Sequence, residues 1–296
     1  MKVVLCNGGL GNQTFQYIFS RWMELATGEP CYLDDSSFFN ECAQHNGYEI
    51  SRVFPYSHPR LLSSYFSEDV WAHILANVKH GRKVCQQMKD LGEDIVVAAE
   101  TGDYSFDGNV VMLPCNEYLP SLAACKGNIY FHGYWLNRNW LKSDFYQTIR
   151  KELTFAPLTE SHNIEYASQI TDSNSISLHI RRGDFVKLNW DAPVEMYRAG
   201  IEFAEKKVEK AHYFVFSDDL DWCCRNAVEL GLDSVKDRVT LVEGNRGASS
   251  FRDMQLMSLC KGNILVSSSS FSYLAALLNV NEHPVFINAT KRQVGE

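Results

Sequence analysis

The 296-residue sequence predicts an α/β protein of two domains, each a parallel sheet covered by helices, facing one another across a cleft. Three observations predict it. A short apolar strand at the N-terminus runs into a glycine-rich loop and then a helical run. Strand and helix signals alternate cleanly through the second half, and the strands there are apolar along their length, as strands buried on both faces must be. The boundary falls within residues 154–159, at Pro157, dividing 1–156 from 157–296.

Residues 2–6 read as a buried strand, followed by Asn7-Gly8-Gly9-Leu10-Gly11-Asn12-Gln13 and a helix over about 14–26, with Phe15, Ile18, Phe19, Trp22 and Leu25 at helical spacing and Gly28 at its end. A second strand leads to Asp34 and Asp35. From 38 to 122 the signals weaken to a helix over 68–79, a charged helical piece over 84–91 and a strand over 95–99. This irregular stretch is the expected acceptor surface, with Tyr65, Phe66 and Trp71 as candidates for stacking on sugar rings, although most aromatics in such a stretch are core. A strand over 128–135 and a helix over 140–153, with Trp140 on its inner face, close the first domain.

In the second domain the expected helices cover 163–171, 194–210, 220–230, 251–260 and 273–278. Between them lie strands that begin at 175 and cover 213–216, 239–242, 264–266 and 285–288. Of these, 175–185 (SISLHIRRGDF) passes most abruptly from strand to chemistry: His179, Arg181, Arg182, Gly183 and Asp184 end it. Ligands of open α/β sheets collect outside the carboxyl ends of strands, so two arginines there suit an anion, and an adjacent pair suits a diphosphate. Gly183 would let the backbone turn sharply, and Asp184 could brace a guanidinium.

A net charge of −8 with pI near 5.6 argues against nucleic acid as a partner, so any anion must be held by locally placed arginines. The start, MKVVLCNGG, lacks a secretory signal pattern and no run approaches a membrane span, which predicts a cytoplasmic protein. Nine cysteines without a C-x-x-C pair read as reduced core residues rather than disulfides or a zinc site.

Two more strand ends carry polar clusters: Ser217-Asp218-Asp219, and the serine run from Ser267 to Ser270 followed by Phe271 and Ser272. Each alone has an ordinary explanation in helix capping or loop composition. Together the three fit a nucleotide: a carboxylate for the base edge or ribose, arginines for the diphosphate, and serine hydroxyls at a helix N-terminus for the remaining phosphate oxygens. Asp219-Leu220-Asp221 is also a literal D-x-D, the pattern of metal-dependent nucleotide-sugar transferases, although both acids fall in a first helical turn, where they partner the dipole. The Gly9/Gly11 loop with Asp34 or Asp35 keeps a dinucleotide oxidoreductase open, with Thr14 standing where its fingerprint needs a third glycine. A lectin-like binder could use the aromatics but would not need Arg181 and Arg182.

GGLGNQ near the N-terminus, HGYW at 132–135, HIRRGDF, FSDDLDW at 216–222 and DMQLMSLCKGNILVSSSSFS at 253–272 together resemble the bacterial α-1,2-fucosyltransferases of glycosyltransferase family 11. The resemblance implies two Rossmann-like domains in a GT-B-like arrangement and inverting, metal-independent transfer of L-fucose from GDP-fucose to the 2-hydroxyl of a terminal galactose. It places the donor on domain 157–296 and the acceptor side on 1–156, with no cofactor beyond the donor substrate. The expected acceptor is a β-galactoside such as lactose or a surface-polysaccharide intermediate; a lipid-linked one would suit peripheral attachment at the inner membrane face. Arg181, Arg182, His179 and Asp184 are the expected catalytic group. Asn12, Gly11 and Gln13 of the first domain are expected on the donor, with Ser217, Asp218, Ser269, Ser270, Phe271 and Ser272 of the second. His179, Asp184 and acids of the first domain stand as candidate bases. The chain departs from the family pattern at Gly262 (usually histidine), Ser267 or Ser268 (usually asparagine) and Tyr273-Leu274 (usually Trp-Trp).

Overall fold

The computed structural model describes residues 1–39, 45–100, 110–113, 126–136, 144–266 and 269–289. The chain divides into two compact units, Met1–Ala156 and Pro157–Glu296. Each is Rossmann-like, built on a five-stranded parallel sheet.

The first unit contains β1 (Lys2–Leu5), β2 (Cys31–Asp34), β3 (Ile95–Glu100), β4 (Val110–Leu113) and β5 (Asn128–His132), in the order β2-β1-β5-β3-β4. Strand β4 has no counterpart in the sequence reading. The first helix, Leu10–Thr27, starts inside the glycine loop rather than after it, because Gly9 already has the extended conformation of an N-cap. It ends at Gly28, whose φ of 69° is the left-handed conformation of a helix stop. The expected sugar-stacking aromatics are otherwise engaged: Trp71 belongs to the core, Phe66 stacks on it at 6.2 Å, and the Tyr65 hydroxyl donates to Glu93 at 2.7 Å. The last strand stops at His132 instead of continuing to Trp135, which sits at a φ of 56°. The helix expected over 140–153 is described as Asp144–Ile149; Trp140 lies outside the described residues.

The second unit contains β6 (Ser175–Ile180), β7 (His212–Ser217), β8 (Val239–Leu241), β9 (Gly262–Val266) and β10 (Val285–Ala289), ordered β10-β9-β6-β7-β8. Ile176, Leu178 and Ile180 of β6 are fully buried in a core with Met196, Tyr197 and Ile201 of the Val194–Lys207 helix. Each such aliphatic side chain contributes about 1.5–3 kcal/mol by leaving water. The helix expected over 220–230 is two pieces, Leu220–Arg225 and Ala227–Leu230, broken at Asn226, whose side chain donates to the Trp222 carbonyl at 2.8 Å.

From β6 the chain proceeds to β7 and β8 on one side and returns to β9 and β10 on the other. The direction of winding therefore reverses between β6 and β9, and outside their carboxyl ends is where such a sheet opens a crevice. In the first unit the same reversal falls between β1 and β5.

Candidate active site

At the carboxyl end of β6 the chain leaves the sheet with Arg181 and Arg182 and at once forms a single helical turn, Gly183–Lys187. Arg181 is gripped by two carboxylates: its Nη2 donates to Asp184 Oδ1 at 2.6 Å, and its Nη1 lies 2.8 Å from Asp218 Oδ2. Arg182 is held differently. Its Nη1 donates to Asp191 Oδ2 at 2.7 Å and its guanidinium carbon lies 3.9 Å from the centre of the Trp222 ring, a close cation–π stack. Its Nε is buried and has no hydrogen-bond partner among the described residues. Asp184 braces a guanidinium as the sequence predicts, and that guanidinium is Arg181.

Asp218 and Ser217, expected on the donor, also link two strand ends. Asp218 accepts the Arg182 backbone N–H at 2.8 Å through Oδ1 while Oδ2 pairs with Arg181. The Ser217 hydroxyl donates to the Ile180 carbonyl at 2.7 Å and accepts the Asp219 N–H at 3.0 Å. Both residues tie the end of β7 to the end of β6. Gly183 is also needed for a reason other than a turn. Its φ is not in the left-handed region, but a Cβ placed on it would lie 2.6 Å from Asp218 Oδ2.

Across the winding reversal stands the N-terminus of the Ser270–Leu277 helix. Ser269 precedes it, with its hydroxyl 3.4 Å from His179 Nδ1, and the Phe271 and His179 ring centres are 5.4 Å apart. Ser269, Ser270 and Phe271 are half-buried, whereas Ser272 is buried and donates to the Ser269 carbonyl at 3.2 Å. Burial, reinforced by the Arg181 charge, pushes His179 down to about 3. The shift favours the neutral imidazole, which can hydrogen bond and is a weakened base.

A residue to which the sequence reading gave no role lies at the same edge of the sheet. The loop after β8 carries Asn245, which exchanges two hydrogen bonds of 2.8 and 2.9 Å with buried Asn163 and gives another, at 2.8 Å, to Asp253 Oδ1. Burial pushes Asp253 up to about 7. Its signal was the Asp of DMQLM, an acid in the first turn of a largely buried helix. Trp222 was missed too, although it closes the FSDDLDW motif.

The D-x-D reading meets a structural use. The Asp219 carboxylate caps its helix, accepting the Trp222 N–H at 3.0 Å, and Asp221 lies in the first turn. Among the described residues no group of three or more His, Cys, Asp or Glu side chains is arranged to hold a metal ion.

In the first unit the GGLGNQ loop divides by exposure. Gln13 is fully buried: Nε2 donates to the carbonyls of Gly8 (2.8 Å) and Gly47 (2.9 Å), and Oε1 accepts the Glu49 N–H (2.8 Å). It pins the loop, and Gly11 is buried in the helix. Asn12 alone of the three keeps exposed surface. The loop is joined to HGYW through Gln16, whose Nε2 donates to the Gly133 carbonyl at 3.0 Å and to Asn7 Oδ1 at 2.8 Å. Gly133 is followed by two N–H groups, of Tyr134 and Trp135, that donate to buried Glu100 at 2.7 and 3.1 Å. Asp34 and Asp35 do not suit a dinucleotide ribose. Asp34 is fully buried, accepting from the Tyr130 hydroxyl at 2.5 Å and the Ser36 N–H at 3.0 Å, and Asp35 is buried with its pKa raised to about 6 by desolvation.

The model of glycosyl transferase family 11 matches residues 114–294. The chain belongs to glycosyl transferase family 11. It is similar to an alpha-1,2-colitosyltransferase of Escherichia coli, 32% identical over 160 residues that make up 52% of each chain, so that this match spans about half of that relative's length. A second Escherichia coli relative, the O-antigen biosynthesis glycosyltransferase WbnK, is 24% identical over 96% of this chain and 92% of its own. Among solved structures the fucosyltransferase NodZ from Bradyrhizobium superposes with a TM-score of 0.50 at 13% identity, over 94% of this chain and 91% of that one, a likeness of fold.

Two of the departures from the family 11 pattern can be located. Gly262 begins β9, at the end of the sheet opposite the arginines, and a Cβ there would meet Ile176 Cδ1 at 2.6 Å and the Val285 carbonyl at 2.9 Å. A histidine has no room between β6 and β10, so this departure belongs to packing. At the Trp-Trp position Leu274 is fully buried and Tyr273 half-buried. Ser267 and Ser268 lie outside the described residues.

Proposed function

We propose that this family 11 glycosyltransferase moves L-fucose from GDP-fucose to the 2-hydroxyl of a terminal β-galactose, with inversion. The observation that carries the reading is the arginine pair at the β6 end, each guanidinium fixed by carboxylates and yet keeping N–H groups beyond those pairs. As the glycosidic bond to GDP breaks, negative charge builds on the β-phosphate, and preorganised cations there stabilise it without reorganising. Arg181 and Arg182 take that role. The N-terminus of the Ser270–Leu277 helix, with Ser269 and Ser270, adds donors for the phosphate oxygens, and neutral His179 contributes one hydrogen bond. With both oxygens of Asp218 engaged, Asp253 is the better candidate for the N–H edge of guanine, because among the described residues only its Oδ1 is hydrogen bonded, to Asn245, and Oδ2 is left over.

His179, lowered to about 3 by desolvation and the Arg181 charge, is weakened as a candidate base. Asp184, paired to Arg181, serves better as a brace. A late, dissociative transition state, in which the departing diphosphate leaves an electrophilic sugar, reduces the demand for a base.

Similarity to a colitosyltransferase favours a second donor. Colitose is fucose without its 3-hydroxyl, so the alternatives differ by one hydroxyl. A site that hydrogen bonds that hydroxyl rejects the deoxy sugar by about 10⁴-fold or more, whereas a site indifferent to it discriminates weakly. The name of WbnK favours a surface-polysaccharide intermediate as acceptor, and peripheral membrane attachment would follow if that intermediate is lipid-linked. No described helix is long and apolar enough to cross a membrane.

The test is incubation with GDP-fucose or its 3-deoxy analogue and lactose, with and without EDTA, following GDP release and product linkage. Fucose on the galactose 2-hydroxyl, insensitive to EDTA and lost in Arg182→Ala, is the expected result. Loss with EDTA and recovery with manganese would favour a metal-dependent transferase. Absence of GDP binding by calorimetry would overturn the nucleotide site itself.

A further inference from the structure

The turn that follows the arginines carries an indole outward. Gly183–Lys187 is closed by Asn189 at a φ of 54°, with the Trp190 N–H donating to the Phe185 carbonyl at 2.8 Å and the Asn189 N–H to the Val186 carbonyl at 3.2 Å. This is the Schellman closure, and its usual apolar contact is present: the Trp190 and Phe185 rings meet edge to face at 5.9 Å. Trp190 is therefore positioned, yet it is 59% exposed, with Leu188 and Val186 also exposed beside it. Both ends of the segment are tied to the arginines, through Asp184 to Arg181 and through Asp191 to Arg182. A fixed tryptophan turned to solvent next to a charged site is a ready contact surface.

We infer that Trp190 is the platform on which the acceptor's terminal β-galactose stacks, so that acceptor recognition begins on the unit that carries the arginines. The inference rests on the galactoside reading above. The axial 4-hydroxyl of galactose leaves the C3, C4 and C5 hydrogens on one face of the ring, an apolar, slightly positive patch that matches the negative face of an indole. Hydroxyls at the rim of the stacked ring stay in water or meet exposed Lys187 and Asn189. Neighbouring Cα atoms are about 3.8 Å apart, so the indole and the carboxylate bonded to Arg182 start from adjacent points of the backbone. The aromatics that the sequence suggested for this task, Trp71 and Phe66, lie in or against the core of the first unit.

The test uses the full chain as wild type, Trp190→Ala and Trp190→Phe. Acceptor KM for lactose is measured at saturating GDP-fucose, GDP affinity by calorimetry, and binding of methyl β-galactoside by saturation-transfer NMR with GDP present. Expected are a rise of about tenfold in acceptor KM for Trp190→Ala, partial recovery in Trp190→Phe, unchanged GDP affinity, and wild-type saturation strongest at galactose H3, H4 and H5. Equal acceptor KM in wild type and Trp190→Ala would overturn the platform and leave the galactoside reading standing. Loss of GDP affinity in step with acceptor KM would also overturn it, making Trp190 a prop for the Arg182 segment. A wild type that binds no galactoside yet binds GDP would overturn both the platform and the galactoside reading.

Discussion

Gly183→Ala should weaken GDP binding without weakening the fold. The new Cβ would stand 2.6 Å from Asp218 Oδ2, against about 3.4 Å for ordinary contact, so the carboxylate must retreat by about 0.8 Å. A retreat of that size along the bond would stretch the 2.8 Å contact with the Arg182 N–H to about 3.6 Å, outside hydrogen-bonding range, and loosen the 2.8 Å pair with Arg181. Hydrogen bonds to charged groups are worth about 1.5–3 kcal/mol. If between half and all of that is transmitted to a bound diphosphate, GDP affinity falls by roughly threefold to 150-fold. Stability moves little, because Asp218 is partly exposed and can turn into water, while alanine in place of glycine in a helical turn gains up to about 1 kcal/mol. Calorimetric titration with GDP and a thermal melt read the two effects separately. GDP affinity within about twofold of wild type would refute the reasoning, since it would mean that the Asp218 brace does not position the arginines. A collapse of Tm would refute the other half.

Gly133→Ala makes the complementary case. Its Cβ would also fall 2.6 Å from a carboxylate, that of Glu100, but Glu100 is buried and holds two N–H groups, so a loss of about 2–4 kcal/mol is expected, visible as a lower denaturant midpoint. Arg182→Lys keeps the charge but loses the planar stack on Trp222 and the fork; transfer should fall by about tenfold or more, against about a hundredfold for Arg182→Ala, measured as kcat/KM for GDP-fucose. Asp253, pushed up to about 7, must be ionised for Oδ2 to accept from the N–H edge of guanine, so GDP affinity should fall as pH drops from 8 to 6 and become flat in Asp253→Asn, as calorimetry across that range would read. For stability the sign reverses. The folded pKa lies above the unfolded one, so the contribution of Asp253 is fully present below the ordinary carboxylate range and is lost as pH rises towards 7.

Much of the fold was legible because its strands are short apolar runs between helices of clear period, and parallel pairing follows from that alternation. Ser175–Ile180 and His212–Ser217 each end in a polar cluster that stands out in the sequence as plainly as in the fold. Which members of a cluster bond to distant parts of the chain was not legible. Asp218 finds its partners 36 and 37 residues away, and Gln13 is consumed by Gly47 and Glu49, 34 and 36 residues on; no local spacing carries that information. Asp34 and Asp35 show the converse. Their distance from the glycine loop imitates a ribose-binding acid, while the pairing of β1 with β2 sends both into the interior. Helix boundaries slipped where a polar side chain captured the backbone, as at Asn226, an event that hydrophobic period does not register.

The charge balance of the arginine cluster bears on what it can hold. Asp184, Asp191 and Asp218 face Arg181 and Arg182, so the five groups together are one charge negative. With a net charge of −8 over the whole chain, no broad positive field draws an anion to this place. What the carboxylates provide is orientation: each guanidinium is held in one geometry before any ligand arrives, at some cost in attraction. A lone phosphate would meet that cost with only one guanidinium to repay it. A diphosphate reaches both, and it can take over the bond that Asp191 makes to Arg182 with an oxygen of equal charge. Asp191 is the easiest of the three to displace, for Asp218 is anchored to both arginines and Asp184 lies in the helical turn itself. Selectivity for a sugar diphosphate over simpler anions then follows from the carboxylates as much as from the arginines.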